Sequence, residues 1–350
     1  MATRSDSAPT LRDVGRLAGV TATSASLALR NDPRISPATK ARIVAAAKKL
    51  GYVPDPLLSA LVARRGRQHA PHTLANMAAL LDDGWLHHDG GWLEPLYQGM
   101  ERACQQLGYH LDILNIQRDL LSLPKPDQLL YSRGVRGLVI LPLYNAHLSL
   151  KLNWERYSFV SIGNPLENLV SHRTGTHLFA SMTLACEKLR KLGYRRVGLV
   201  HPLRFERRIS YEWHGSLCKE TLTHPDFIVV PPHLPEEYDT AAFVEWVRQH
   251  QPECILTNSP IALREMLEQN GWKVPRDIGI VALSRNFDTM QHFSGVAQHL
   301  DLTAEGAVRH VHQLILKGET GMPKVPSDIR IAPDWYEGDT IRRLRRARAK

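Results

Sequence analysis

A glycine set between two helix-start signals constrains this chain more than any other feature. Thr10-Leu11-Arg12-Asp13 has the form of a capping box. The Thr10 hydroxyl can accept an orphan amide proton, and Asp13 can reach back to the cap. The spacing predicts a helix to Ala18, with Leu11, Val14, Leu17 and Ala18 on one face. Gly19 follows, where the helix must stop and turn tightly. Thr21 is a second cap, and Ala22 to Leu29 read as a short helix of small residues. Asn31-Asp32-Pro33 is a turn, and Ser36-Pro37 places proline at the first position of a third helix. That helix runs to Leu50, with an apolar stripe of Ile35, Ile43, Ala46, Ala47 and Leu50, and Gly51 closes it. Three short helices with a glycine turn between the first two form the helix-turn-helix arrangement, whose second helix fits the major groove of DNA. Spacing alone leaves generic three-helix packing open.

Charge is distributed to match. The net charge of the 350-residue chain is +9, with +8 in residues 1–70, +6 in residues 341–350 and about −5 between them. A basic head on a mildly acidic body is expected where the head neutralises phosphate and the body does not. The run from Arg342 to Lys350 reads equally well as a solubilising tail.

The letters narrow the reading further. The string from Leu11 to Thr21 (LRDVGRLAGVT) resembles the N-terminal signature of the LacI/GalR family of bacterial regulators. So does its continuation through Ser26, Ile35-Ser36, Thr39, Arg42-Ile43, Ala46-Ala47 and Leu50-Gly51-Tyr52-Val53-Pro54. The resemblance implies that Ala22, Thr23 and Leu27 face base edges, and that Thr10, Thr21, Ser26, Arg30 and Asn31 suit the DNA backbone. Leu27 stands where the family usually has arginine, so a bidentate guanine contact is lost and the operator should differ from the commonest half-site.

Asp55-Pro56 can start another helix, strongly apolar through Leu57, Leu58, Ala60, Leu61, Val62 and Ala63. A linker packed on the body is one reading. The family resemblance implies a hinge helix that orders on DNA, with Leu58 and Leu61 at the minor groove and Arg64 and Arg65 on flanking phosphates. The expected organisation is a tail over 1–9, the head over 10–54, hinge and linker over 55–72, a body over 73–340 and a basic tail over 341–350.

The body alternates short apolar runs with amphipathic helices, the pattern of an α/β domain. Strands are expected at 74–81, 110–115, 137–141, 159–162, 196–200, 227–230, 254–257 and 278–283. Helices are expected at 92–107, 180–192, 240–250, 261–270 and 303–317. The segments Arg133 to Leu138, Leu192 to Leu199, Val274 to Ile278 and Trp335 to Thr340 resemble the same family's effector-binding core, which is similar to periplasmic sugar-binding proteins. The fold class implied is an all-α helix-turn-helix head, three helices plus a hinge helix, followed by an α/β two-lobed periplasmic-binding-protein-like (type I) domain. Its lobes are expected over 73–192 and 193–296, with a crossover returning through 297–340.

Such sheets bind ligands at the carboxyl ends of their strands. Candidate effector contacts are Trp85, His87, His88 and Trp92 after the first strand, then Arg207, Arg208, Glu212, Asn258, Ser284 and Arg285. Glu212 and Ser284 stand where the family usually has arginine and aspartate, which argues against a simple pentose or hexose. The implied partners are double-stranded operator DNA, a second copy of the chain, and a small-molecule effector of the sugar or sugar-derivative class. No cofactor is implied. The four cysteines and the histidines show no metal-ligand spacing, and no nucleophile elbow, P-loop or dinucleotide signature is present. No run of eighteen apolar residues occurs, and residues 1–9 lack the apolar stretch of a secretory signal, so a cytoplasmic, nucleoid-associated protein is expected. A regulator, most simply a repressor, is the leading reading. A ligand-binding protein without regulatory output, and a regulator whose body only dimerises, remain open at this point.

Overall fold

A computed structural model describes residues 10–29, 34–50, 52, 76–85, 91, 93–145, 147–164, 166, 168–285 and 290–344, with Trp85 described by its main chain alone. The chain divides into two compact units, Met1–Thr73 and Leu74–Lys350, and each is treated by itself.

In the first unit, α1 (Leu11–Ala18), α2 (Ala22–Leu29) and α3 (Pro37–Leu50) pack around one small core. Val14, Ala18, Ala25, Ala28, Ile43, Ala46 and Ala47 are buried there, and Leu11, Val20, Leu29, Ile35, Leu50 and Tyr52 close over them. Small residues at these positions let three short helices approach closely, which none could do stably alone. Leu17, expected on the core face, is instead about half exposed (46%). It sits at the edge of the stripe, about 60° round the helix from Val14, while Ala18, four residues past Val14, is the buried member.

The second unit holds two six-stranded sheets. Its strands and helices, in chain order among the described residues, are β1 (Asn76–Leu81), α4 (Leu93–Leu107), β2 (His110–Asn115), α5 (Pro126–Ser132), β3 (Val135–Ile140), β4 (Ser158–Ile162), β5 (His172–Thr176), α6 (Leu178–Lys191), β6 (Arg196–Leu199), α7 (Leu203–Arg208), α8 (Glu212–Thr223), β7 (Ile228–Val229), α9 (Thr240–His250), β8 (Cys254–Thr257), α10 (Pro260–Gln269), β9 (Gly279–Ala282), β10 (Gly295–Ala297), α11 (Leu300–Lys317), β11 (Asp328–Ile331) and β12 (Asp334–Tyr336). One sheet runs β11-β5-β4-β3-β1-β2, all parallel. The other runs β12-β10-β9-β8-β6-β7, parallel except where β12 lies antiparallel to β10.

Central strands buried on both faces explain the continuous apolar runs of the sequence. Along β1, Met77, Ala79 and Leu81 enter one core with α4 and α11, while Ala78 and Leu80 enter the core on the opposite face. The second sheet is covered in the same manner, with Cys254 and Leu256 on one side and Ile255 on the other.

Every strand and helix expected in the body has a counterpart here, with ends moved by a residue or a few. The lobe boundary differs from expectation. α6 packs its Met182, Ala185, Cys186 and Leu189 into the core of the second sheet, so the first lobe ends at His177 and not at Leu192. The chain then returns twice. α11 covers the first sheet after His299, β11 joins that sheet's edge, and β12 goes back to the second. The three crossings lie side by side. The His177 amide donates to the Ile331 carbonyl (2.9 Å), Thr176 Oγ1 donates to the Gln298 carbonyl (3.2 Å), and His299 Nε2 meets Asp334 Oδ2 (2.9 Å). The expected basic tail also begins later than 341. Ile341 is buried, Arg342 donates to the Pro275 and Arg276 carbonyls, and the Leu344 amide donates to the Leu192 carbonyl (2.8 Å).

Candidate nucleic-acid interface and effector cleft

The head's geometry is set by caps and two glycines. At the start of α1, the Thr10 hydroxyl donates to Asp13 Oδ2 (2.6 Å), Asp13 accepts from the Thr10 amide (3.0 Å), and the Asp13 amide reaches Thr10 Oγ1 (3.4 Å). Arg16 closes the cluster with an ion pair to Asp13 (2.5 Å). These bonds hold the Asp13 carboxyl below its ordinary pKa, the Thr10 hydroxyl contributing most. Thr10 therefore serves as a helix cap, not as the free phosphate donor that its position suggested. Its hydroxyl proton goes to Asp13, which also sets a carboxylate at the place proposed for phosphate.

Gly19 ends α1 in the left-handed conformation (φ 67°). Gly15 is required for a different reason. A Cβ there would lie 2.8 Å from the Val20 carbonyl oxygen and 3.1 Å from the Ala22 amide nitrogen, so the turn packs directly on the helix that precedes it. The Val20 amide also donates to the Gly15 carbonyl (2.9 Å). That contact fixes the angle at which α2 leaves α1.

At the start of α2, Thr21 Oγ1 accepts from the Ser24 amide (3.1 Å). Ala25 and Ala28 face the core, so the residues one helical step away are turned outward. Thr21 and Thr23 are exposed, and Ala22, Ser26 and Leu27 are partly exposed. Thr23 and Leu27, four residues apart, share one face. Leu27 is partly exposed there, beside the exposed Thr23. Arg12, Arg16, Arg34, Arg42, Lys48 and Lys49 are exposed around this framework. Arg30, Asn31, Leu58, Leu61, Arg64 and Arg65 lie outside the described residues.

In the body, a cleft of about 620 Å³ opens between the two lobes. One wall comes from the loops after β3 and β4 and from β5, with Tyr144, Asn145, Asn164, Ser171 and Arg173. The other is α7 and its exit, with Arg204, Phe205, Arg207, Arg208 and Ser210. The volume is that of small-molecule sites in general. Arg208 is partly buried, and desolvation pulls its guanidinium pKa down while the wholly buried Asp82, just after β1, pushes it back up. Asp82 is anchored in turn by the Asn145 amide (2.9 Å). Ser210 and Tyr211 both adopt left-handed backbone (φ 53° and 58°) at the cleft edge. Such conformations cost about 1–3 kcal/mol per non-glycine residue and concentrate at binding sites.

Of the expected effector contacts, Arg207 and Arg208 line this cleft. Glu212 lines a smaller adjoining cavity of about 180 Å³ and pairs with Arg330 (3.0 Å). Asn258, Ser284 and Arg285 are not among the residues that line either cavity. Arg285 is drawn off to the Phe293 and Gln291 carbonyls (2.9 and 2.7 Å) and lies over the Tyr336 ring. Asn258 turns its Oδ1 toward the neighbouring Ser259 hydroxyl (3.3 Å). His87, His88 and Trp92 lie outside the described residues, as does the Trp85 side chain. Sequence reasoning missed Arg173 and Arg204. Arg204, three residues before Arg207, carried a usable signal in its arginine-rich run, whereas Arg173 sits on a strand too polar to be expected. Among the described residues no group of His, Cys, Asp and Glu is placed to hold a metal ion, and no helix is long and apolar enough to cross a membrane.

Comparison with known proteins agrees with these two parts. The sequence model described as "Bacterial regulatory proteins, lacI family" matches residues 10–55. The ribose operon repressor of Escherichia coli (strain K12) is 26% identical over 246 residues, spanning 62% of this chain and 71% of the repressor. The HTH-type transcriptional regulator PtxS of Pseudomonas plecoglossicida is 25% identical over 284 residues, or 78% of each chain. Among solved structures, a CelR–cellobiose complex superposes with a TM-score of 0.57 at 17% identity, covering 95% of this chain and 99% of that one. A lac repressor dimer bound to operator and the anti-inducer ONPF gives 0.54 at 16% identity, with the same coverage. At such identity the structural likeness speaks for the fold. Residues 10–55 are a helix-turn-helix head of the lacI family of bacterial regulatory proteins, carried on a two-lobed body of the fold that its regulators share.

Proposed function

We propose that the chain is a sequence-specific transcriptional regulator, a repressor, that grips a two-fold operator as a homodimer and answers to a small molecule in the inter-lobe cleft. The observation that carries this reading is the head, in which a family-matched sequence folds with Thr23 exposed and Leu27 partly exposed on its second helix. One such helix reads few bases, and two-fold operators need two heads. Ala22, Thr23 and Leu27 read base edges and Thr21, Ser26, Arg30 and Asn31 serve the DNA backbone, while Leu58 and Leu61 serve the minor groove and Arg64 and Arg65 its flanking phosphates, as the family resemblance implies. Leu27 gives apolar contact in place of a guanine-reading arginine. The relatives being regulators supports a non-enzymatic role, and DNA as the target supports a cytoplasmic, nucleoid-associated site of action.

Solved neighbours named for bound cellobiose and ribose support an effector of the sugar or sugar-derivative class. Effector binding between the lobes changes their closure, and any ligand preferring one closure state is coupled to operator affinity by the same free energy in both directions. Selection of bound duplexes from a random library by the purified full-length protein tests the reading. A recovered two-fold symmetric site is the expected result. Binding that is salt-sensitive but without sequence preference, both with and without cell metabolites, refutes it.

A further inference from the structure

The cleft is a cation-rich site. Four guanidinium groups, from Arg173, Arg204, Arg207 and Arg208, line its wall, and no carboxylate is among the described residues that do so. Each is met by a carboxylate that is not itself among the residues lining this cleft. Asp328 holds Arg173 (3.2 Å), Glu237 holds Arg204 (2.5 Å), Glu236 holds Arg207 (3.2 Å), and Asp82 acts on Arg208. Asn164 accepts from Arg173 on the cleft side. These pairings hold the planar guanidinium groups in place along the cleft lining. Glu236, Glu237 and Arg207 are well exposed, so water and salt screen those pairs, whereas Arg208 is partly buried.

A neutral sugar offers hydroxyl groups that both donate and accept, and it is matched by carboxylates and amides. Guanidinium groups only donate and remain charged when buried. Four guanidinium donors lining one cavity match a ligand whose oxygens accept and carry negative charge. Phe205 and Leu166 supply an apolar surface beside them for a carbon skeleton.

We infer that the effector is an anion of about sugar size, carrying a carboxylate or phosphate group that the four arginines clamp. The inference rests on the proposed effector role of this cleft and narrows it to a ligand class. Calorimetric titration of the full-length protein with D-gluconate, D-glucose 6-phosphate, D-ribose 5-phosphate and the neutral D-glucose and D-ribose tests it. At least one anion binds about tenfold or more tightly than its neutral parent, and its affinity falls as sodium chloride is raised. Gluconate against the two phosphates tells a carboxylate from a phosphate. R204Q and R207Q, on the partly exposed helix α7, each lose about tenfold for that anion, while their melting curves stay within a few degrees of wild type. If a neutral parent binds as tightly as its anion, or if the anion's affinity ignores both salt and the arginine variants, the inference is overturned. If none of the five compounds binds, it is overturned likewise. The recovered duplex separates the two readings: retained operator binding with a preference for neutral sugars leaves the regulator standing and removes only the anion.

Discussion

Replacing Gly15 by alanine tests whether the turn geometry of the head governs DNA affinity. The added Cβ would lie 2.8, 3.1 and 3.2 Å from main-chain atoms of Val20, Ala22 and Thr21, none of which can rotate aside as a side chain can. Accommodation requires the turn to back away from α1, and overpacking of this kind costs about 1–3 kcal/mol. Alanine's better helix propensity returns up to about 1 kcal/mol. The net loss of head stability is therefore small, about 0–2 kcal/mol, and the head stays folded. The larger effect falls on α2, whose start is the segment displaced. A loss of about 1–2 kcal/mol in operator binding follows, roughly five- to thirtyfold in Kd. Gly19→Asn is the companion. Nothing lies within 4 Å of the site of its added Cβ, and asparagine tolerates the left-handed backbone, so operator affinity stays within about threefold of wild type. Fluorescence anisotropy on the selected duplex at fixed salt measures both. Equal affinities for the two variants would show that close packing at Gly15 does not set the recognition helix.

Three further outcomes are expected. The Asp13 carboxyl, held below 3.8 in the folded head, adds stability that is fully present above that value and is lost as pH falls through its lowered folded pKa. Side-chain NMR titration reads it, and Thr10→Ala moves the pKa back toward 3.8; an unshifted wild-type value refutes the capping-box contribution. Glu220 is wholly buried with Arg190, Lys219 (2.6 Å) and His224 (3.2 Å) around its carboxylate, so Glu220→Gln costs about 3–5 kcal/mol in the thermal or urea unfolding of the body, and a cost below about 1 kcal/mol contradicts it. Of the four cysteines, exposed Cys218 reacts promptly with a thiol reagent in the native protein. Cys104, Cys186 and Cys254 react only on unfolding, since burial pushes their thiols up, Cys104 to about 12; more than one fast thiol refutes this.

The head was legible because its signals are local. A cap, its box partner and a stop glycine lie within a few residues of each other, and their bonds form as the spacing requires. Gly15 gave no propensity signal for its role, because its neighbour is the turn five residues later. In the body, apolar runs announced the central strands, but β5, β10, β11 and β12 were not anticipated. His172-Arg173-Thr174-Gly175-Thr176 is polar, and it is a strand only because β4 and β11 pair with it on both sides. For the same reason Arg173 could not be foreseen in the cleft. Arg204, Arg207 and Arg208 share one short helix, but Arg173 meets them only through the packing of lobes. Ser284 and Arg285 illustrate the reverse case. Their place after a sheet strand suggested ligand contact, yet Arg285 has nearby carbonyls to satisfy.

The three adjacent crossings between the lobes have a consequence for how this body can be taken apart. Neither lobe is one continuous piece of chain: the first takes residues 76–177 and then 300–331, the second 178–298 and then 334–344. A single proteolytic cut, at any one crossing, leaves both halves tethered by the other two. A chain stopped before α11 does not yield a smaller regulator, because it strips the first sheet of the helix that buries its Met77 face. With three tethers side by side, sliding or shearing one lobe over the other would stretch at least one of them, and bending about the line of crossings is the motion left.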